Sequence, residues 1–467
     1  MVPQFSGDFY QDLLTDWLIG DRGERLAIAY AQRADHLSRC AAPTVLIAEA
    51  DPVRFLAGFF AASAAGCPIA LGNPHWGRWE RRQAVDLIRP DIVWAEADWV
   101  DSPAANSARE QKLPSQRPAP GWILVPTGGS SGRLRFVIHT WETLRASVAG
   151  FCQHFQVERV RSLCVLPLYH VSGLMQAMRC LLSGGQLAVM PFKTLLAAPD
   201  LPIDPADCFL SLVPTQLQRL LESPGRSLLP QFRTVLLGGA PPWTDLLEQG
   251  RSLQIPLAVT YGMTETASQI ATLPPDLFLA GDTSAGPALP HARITIRDAQ
   301  RRCLAPYQVG QVTIQADSLA LGYYPTPRFD PQRGFQPDDQ GFLDEHGHLH
   351  LVGRSSDKII TGGENVFPAE VEAAIRRTGL VEDVAVIGVG DRHWGQAVTA
   401  LYVPRDRHVT GEAIARQLTP ELSAYKRPKH WIALTELPRN SQGKLNRPQL
   451  QTIAQSHLRP SAPSADI

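Results

Sequence analysis

Trp122-Ile123-Leu124-Val125-Pro126-Thr127-Gly128-Gly129-Ser130-Ser131-Gly132-Arg133-Leu134-Arg135 joins a short apolar run to a loop of glycine and hydroxyl residues. A strand feeding such a loop can curl its backbone N–H groups around phosphate oxygens, with the hydroxyls as extra donors. The competing reading is a flexible surface turn, and this stretch alone does not decide between them. It is not a Walker A loop: Arg133 stands where that motif needs Gly, and no Gly-Lys-Ser/Thr follows. Two further segments share its character. Leu236-Leu237-Gly238-Gly239-Ala240-Pro241 ends an apolar run in a glycine pair, which lets a flat ring approach the backbone. Thr260-Tyr261-Gly262-Met263-Thr264-Glu265-Thr266 offers a hydroxyl and a carboxylate, the usual way to hold Mg²⁺ beside a triphosphate. Each is weak alone. Placed at the ends of successive parallel strands, they describe one nucleotide site at the carboxyl edge of a sheet.

The rest of the chain supports such a sheet. Apolar runs at 44–48, 68–71, 163–166, 186–190, 208–213, 234–237 and 257–260 alternate with helical stretches such as 51–65. Short buried strands separated by helices imply parallel or mixed sheets covered by helices. After about residue 286 the texture changes to alternating segments at 292–296, 310–315 and 348–352, which read as β-hairpins. The last part reads as strand–helix–strand, with its helix near 368–377. The expected fold class is α/β: a large N-terminal body of parallel and mixed sheets with a β-hairpin subdomain, then a smaller mobile α+β domain. The boundaries expected are 1–353 and 354–467.

Composition narrows the function. The 467 residues carry 44 Lys+Arg against 45 Asp+Glu. That balance argues against a protein built to coat nucleic acid or an anionic membrane, and leaves a local phosphate site open. Only six of the cations are Lys (112, 193, 358, 426, 429 and 444), which gives each one kept some interest, although base composition accounts best for the skew as a whole. The seven Cys are odd in number and form no CxxC, as expected of free thiols in a reducing compartment. The longest uncharged stretch is interrupted by Pro68 and Pro74 and reads as a buried helix and strand, not a membrane span. Residues 1–16 lack a basic segment followed by an apolar run, so a cytoplasmic protein is expected.

With these motifs in hand, the chain resembles the adenylate-forming superfamily of acyl-CoA synthetases, adenylation domains and luciferases. Residues 127–135 look like its phosphate loop, with Leu134 and Arg135 in place of the usual Pro-Lys. Residues 261–266 match its Tyr-Gly-x-Thr-Glu motif, which implies Glu265 on Mg²⁺ and Thr264 on the α-phosphate. Gly334-Phe335-Gln336-Pro337-Asp338-Asp339-Gln340-Gly341 stands where the family has Trp-Phe-x-Thr-Gly-Asp-x-Gly, and Asp339 keeps the position that grips the ribose. Gly353-Arg354-Ser355-Ser356-Asp357-Lys358 matches the hinge motif, implying Arg354 near the ribose and Asp357 as pivot. Asn440-Ser441-Gln442-Gly443-Lys444 matches the loop that carries the catalytic Lys. The resemblance therefore implies ATP (or AMP) at Thr127, Gly128, Gly129, Ser130, Ser131, Gly132, Gly238, Gly239, Ala240, Pro241, Tyr261, Gly262, Asp339 and Arg354. It implies Mg²⁺ as cofactor and coenzyme A as co-substrate.

The acid is read from the segments between. Leu166-Pro167-Leu168-Tyr169-His170-Val171-Ser172-Gly173 and the stretch from Ser211 to Leu221 look most like the o-succinylbenzoate–CoA ligase family, which serves menaquinone or phylloquinone synthesis. On that resemblance His170 gates the acyl pocket, and Ser172 and Gln216 line it. For Gln216 a plain helix N-terminus is an equal alternative. Arg179 is the single charge in the apolar stretch 174–182, and Arg is rarely buried without an anion. The resemblance gives it the second carboxylate of a dianionic substrate. The expected partners are thus a small carboxylic acid, ATP and coenzyme A, with a homodimer left open and neither nucleic acid nor a membrane span expected. Alternatives are a ligase for another aryl or medium-chain acid, and a stand-alone adenylation module. His346, His348 and His350 alternate as a metal site would need, but no further ligand is evident and an exposed hairpin is expected. Lys426-Arg427-Pro428-Lys429 reads as a solvated face or as a contact for coenzyme A phosphates.

Overall fold

The computed structural model describes residues 17–20, 22–40, 42–96, 99, 117–128, 134–354, 357–361, 364–391, 394–419, 421–422, 424–440 and 443–458. Four sheets organise them. The first runs in the order Gly322–Tyr323, Leu134–His139, Ile123–Gly128, Ile69–Leu71, Val45–Ala48, Ile92–Ala95. The second runs Ser268–Thr272, Leu257–Met263, Thr234–Leu237, Cys208–Leu212, Arg161–Cys164, Gln186–Val189, parallel throughout except at the Ser268–Thr272 edge.

A helical layer lies between these sheets. Helix Pro52–Ala64 starts at Asp51, whose carboxylate accepts from the Arg54 N–H, and Pro52 supplies a preset φ in the first turn. Ten of its residues are buried and only Arg54 carries charge, to solvent, as fits a helix covered over most of its surface. It shares one apolar cluster with helices Trp141–Phe155 and Val171–Leu182 and with inward side chains of both sheets, including Ile47, Val125, Phe209 and Leu236. Among the described residues no helix is long and apolar enough to cross a membrane. All seven cysteines are free, and only Cys40 and Cys303 are exposed.

The three sequence loops do not end neighbouring strands of one sheet. Thr234–Leu237 and Leu257–Met263 are parallel neighbours, but Ile123–Gly128 belongs to the other sheet and pairs antiparallel with Leu134–His139. The physical reason is burial on both sides of the loop. Ile123, Leu124 and Val125 before it and Phe136, Val137 and Ile138 after it are all core residues, so the chain turns straight back as a hairpin. The site therefore forms where two sheets meet.

The hairpin texture after residue 286 becomes a four-stranded antiparallel sheet, Ala292–Arg297, Gly310–Ala316, Asp339–Leu343, Leu349–Arg354. The C-terminal part carries its own five-stranded sheet around the pair Val381–Asp391 and Gly395–Pro404. Helix Pro368–Arg377 lies against it, and its two apolar clusters draw only on residues 359–458. It meets the body where Arg376 lies over the Trp243 ring at 5.5 Å.

Candidate active site

The segment following Leu257–Met263 is held from every side. Its strand breaks register between Tyr261 and Gly262, where a Cβ would meet the Ser268 carbonyl oxygen at 2.1 Å, so only glycine fits. His139, fully buried at the end of Leu134–His139, bonds the Thr264 carbonyl through Nε2 at 2.7 Å and Thr143 Oγ1 through Nδ1 at 2.9 Å. A carbonyl only accepts, so Nε2 carries the proton. Burial pushes this imidazole down to about 4, which keeps it neutral. Ser147 donates to the Ala267 carbonyl at 2.7 Å and Ser318 to the Thr266 carbonyl at 2.9 Å. The backbone of Thr264 and Glu265 is thus fixed before any ligand arrives.

Glu265 is buried, with one carboxylate oxygen accepting from Tyr323 Oη at 2.6 Å. Burial first, and Glu265 second, raise the Tyr323 pKa, so the phenol keeps its proton and donates. The Arg135 guanidinium lies 4.6 Å from the Tyr323 ring centroid. The cation standing in place of the family Lys therefore reaches the same cluster as Glu265. Asp339 accepts from Tyr261 Oη at 2.7 Å and from Arg354 Nε at 3.2 Å. Burial alone would lower the Arg354 pKa, but the Asp339 carboxylate outweighs it and the net shift is upward.

Lys444 arrives from the C-terminal part, in the loop before helix Arg447–Leu458. Its backbone N–H donates to Asn440 Oδ1 at 2.9 Å, closing the tight turn around Gly443, whose φ is +75°. A Cβ on Gly443 would lie 3.9 Å from Thr215 Oγ1, at the start of helix Pro214–Leu221, so the loop rests on the body. Lys444 is exposed, yet protein crowds its ammonium enough to lower its pKa. Desolvation is the first cause and the Arg354 charge the second, with Glu265 and Asp339 pulling the other way. Those couplings bring Lys444, Glu265, Asp339 and Arg354 together. His170 joins them: burial, then the Lys444 charge, pushes its imidazole down to about 4. Asp357 pairs with Arg447 at 3.1 Å, inside the C-terminal part.

His170 is also the N-cap of helix Val171–Leu182, which carries Arg179. Arg179 is buried, donates to Ser268 Oγ at 3.0 Å and lies 4.2 Å from the Phe151 ring centroid. Its Nε has no partner, and no carboxylate pairs with it among the described residues. Burial lowers its pKa to about 10, so it stays charged at neutral pH. Ala267 and Ser268 hold φ of 50° and 90°, a backbone region that costs non-glycine residues about 1–3 kcal/mol each, and it is Ser268 that meets Arg179.

Other sequence candidates fare differently. Gly238 and Gly239 end the strand as expected: a Cβ on Gly238 would strike Thr260 Oγ1 at 2.3 Å, and Gly239 has φ +82° before Ala240 and Pro241. Thr127 and Gly128 close the first-sheet strand, while Gly129, Ser130, Ser131 and Gly132 lie outside the described residues. Ser172 is half-buried, and its carbonyl accepts from Gln176 at 3.0 Å. Gln216 uses its side-chain oxygen to accept from the Val213 N–H at 3.1 Å, the helix-terminus alternative. His348 bonds Asp282 at 2.9 Å and His350 bonds Asp344 at 3.0 Å, and no metal cluster occurs among the described residues. Lys426 is tied to Glu370, Arg427 to the Leu422 and Thr419 carbonyls, and Lys429 to the Ala424 carbonyl. Sequence reasoning missed His139 and Tyr323. Each lies far along the chain from its partner, 125 residues for His139 to Thr264 and 58 for Tyr323 to Glu265, and no local pattern marks either.

Known proteins bear on this geometry. A model of AMP-binding enzymes matches residues 34–324, and a model of the AMP-binding enzyme C-terminal domain matches 370–444. A 2-succinylbenzoate–CoA ligase of Geobacillus sp. (strain WCH70) is 37% identical over 339 residues, 71% of this chain and 68% of that one. The o-succinylbenzoate CoA synthetase of Bacillus subtilis in complex with its acyl-adenylate intermediate superposes with a TM-score of 0.81 at 26% identity, covering 95% of this chain and 97% of that one. The same enzyme with ATP and magnesium ion gives 0.79 at 25% identity, covering 95% and 98%. The chain belongs to the AMP-binding enzyme family, and within it to the 2-succinylbenzoate–CoA ligases.

Proposed function

We infer that the chain activates o-succinylbenzoate with ATP as an acyl-adenylate and passes the acyl group to coenzyme A. A carboxylate resists thiolysis because its leaving group would be oxide. Joined to AMP, the same oxygen leaves readily and a thiolate displaces it. The first step builds negative charge around the α- and β-phosphates, where a fixed cation acts best. Lys444 is that cation, and its crowded ammonium faces the cluster of Glu265, Asp339 and Arg354. Thr264 presents its hydroxyl to the α-phosphate from a backbone that His139 fixes. Asp339, paired with Arg354, takes the ribose hydroxyls, with Tyr261 bonded to it. Glu265 is a buried carboxylate with one oxygen engaged by Tyr323, and its other oxygen would hold Mg²⁺. A single protein carboxylate suits an ion that fills its shell with phosphate oxygens and water. When bound, that ion neutralises phosphate charge. The half-buried, neutral His170 stands between this cluster and the acyl helix.

The observation that carries the choice of acid is Arg179. Its Cα lies nine residues past His170, ~14 Å along the helix, and helical side chains lean back toward the N-terminus. A fatty acyl tail at that point would face an unpaired buried charge, which costs several kcal/mol. The benzoate carboxylate of a compact aryl dianion would instead pair with it. We further propose that the chain divides at 353/354, Asp357 being the pivot, so that 354–467 can exchange Lys444 for a thiol entrance after adenylation. Exclusion of water from the mixed anhydride favours such a closing part. The test is coenzyme A-dependent AMP release with a panel of mono- and dicarboxylic acids. O-succinylbenzoate should dominate, and equal turnover of an analogue lacking the benzoate carboxylate would reject the assignment.

A further inference from the structure

Arg179 does not stand alone in lacking partners. Among the described residues, buried polar atoms without a hydrogen bond include Arg179 Nε, Gln176 Oε1 and both ring nitrogens of His291. Gln176 and Arg179 lie one turn apart on Val171–Leu182, and Arg179 and His291 both meet helix Trp141–Phe155. Gly150 on Trp141–Phe155 admits the His291 ring so closely that a Cβ there would lie 1.7 Å from Nδ1. The next residue, Phe151, is the ring on which the Arg179 guanidinium rests at 4.2 Å. Ser147, one turn earlier, holds the Ala267 carbonyl at 2.7 Å and so fixes the neighbour of Ser268, the hydroxyl that Arg179 reaches. The backbone of His291 is pinned too, its carbonyl accepting from the Asp317 N–H at 3.0 Å.

We propose that His291 is a specificity-determining residue, whose Nε2–H joins Arg179 in holding the second carboxylate of the acyl substrate. This rests on the reading of Arg179 given above. Nδ1 is the atom pressed against the helix backbone at Gly150, so Nε2 is the nitrogen left for a ligand. Buried donors are rarely left unmade, because each costs the full desolvation of the group. An unpaired cation with orphaned atoms on two neighbouring residues is what a pocket shows when its ligand completes the hydrogen bonds. A carboxylate offers about four lone-pair sites, enough for Arg179 Nε and the imidazole N–H together. A water bound with it would serve Gln176 Oε1, which needs a donor. Burial first holds His291 down to about 4, with the Arg179 charge also lowering it and Asp317 opposing, so the ring adds a neutral donor and not a second charge.

The test compares o-succinylbenzoate with an analogue lacking the benzoate carboxylate, in ATP–pyrophosphate exchange. His291→Phe should raise KM for the dicarboxylate roughly tenfold, the worth of one hydrogen bond to a charged group. KM for ATP and KM for the analogue should move far less, and His291→Asn, which keeps an N–H, should recover part of the loss. Equal losses for both acids, or none for either, overturn the proposal. If Phe does not fold, the same comparison with Asn and Gln decides it. Arg179→Met in the same assay separates the two levels. If that variant abolishes the preference for the dicarboxylate and His291→Phe leaves it intact, His291 alone is wrong. If Arg179→Met also leaves it intact, the acyl reading has failed with it.

Discussion

The proposed nucleotide side of the cleft and its proposed acyl side are built to opposite specifications. Around Thr264, Glu265 and Asp339, polar groups are already matched: His139 to Thr264, Tyr323 to Glu265, Tyr261 and Arg354 to Asp339. Around Arg179, polar atoms are buried and unmatched. The first arrangement is preorganised, so donors and charges need not reorient as phosphate charge develops. The second stores the cost of unmade bonds until a particular acid arrives. An acid that cannot complete them is rejected by more than the contacts it lacks, because the pocket's own groups stay unpaired. On the proposed reading the chain separates rate, on the nucleotide side, from choice of acid.

The largest test of this division is Lys444→Ala. Loss of one transition-state donor lowers the rate by about 10²–10³. Pyrophosphate exchange should fall by that factor, while coenzyme A attack on supplied acyl-adenylate is largely spared. Equal losses in both half-reactions would merge the roles that the C-terminal part is held to alternate. Arg179→Ala comes next. Removing one member of a buried charge pair costs about 2–5 kcal/mol. KM for o-succinylbenzoate should therefore rise by roughly 30-fold or more, with KM for ATP little changed. Free of ligand, Arg179→Met loses an unpaired buried charge at similar volume, so its Tm should hold or rise. A sharp fall in Tm would mean that Arg179 serves the fold and not the acid.

Tyr323→Phe probes the preorganised side more gently. It removes a hydrogen bond to a carboxylate, worth about 1.5–3 kcal/mol when the group is charged. The Mg²⁺ needed for half-maximal adenylation should rise about tenfold, and the preference among acids should not change. A changed acid preference with an unchanged Mg²⁺ titration would blur the contrast between the two sides.

Legibility in the sequence follows the same division. Glu265, Asp339, Arg354 and Lys444 sit in contiguous motifs, as expected of the proposed phosphate and ribose contacts, since such groups are gripped by loops whose backbone shape depends on neighbouring residues. Strands such as Thr234–Leu237 and the helix Pro368–Arg377 were legible from continuous apolar runs and periodicity. The hairpin at Ile123–Gly128 was not, since an apolar run before a glycine loop looks the same whether the chain returns directly or through a helix. Arg179 was visible as a lone charge. His291 was not, because its role depends on a glycine in a helix 141 residues away in sequence. Gln216 was ambiguous for a different reason: the same amide can cap a helix or touch a ligand, and only the bond to Val213 tells which it does.

The smallest expected effect is on stability, and it concerns histidines on both sides. His139, His170 and His291 are each pushed to about 4, burial being the first cause in every case. An unfolded imidazole titrates near 6.5, so between about 4 and 6.5 the unfolded chain binds protons that the folded chain refuses. The stability these residues contribute is therefore complete above about 6.5 and is lost as pH falls toward 4. Glu49 and Glu372, pushed up by burial, act in the opposite sense, so the wild-type slope is a net value. The carboxylates with lowered pKa, such as Asp282 and Asp344, act mainly below the window and do not imitate it. A difference between variants isolates one term. His139 is the fully buried member, and its share amounts to about 1.4 kcal/mol per pH unit within the window. His139→Gln keeps an N–H for the Thr264 carbonyl and removes the titration. Its Tm should sit below wild type at pH 7.5, and the gap should narrow by a few degrees on going to pH 5. A gap that widens from pH 7.5 to 5 would mean that His139 already carries a proton in the folded state. Thr264 would then be held by a charge, and the nucleotide side would be less fully matched than its hydrogen bonds imply.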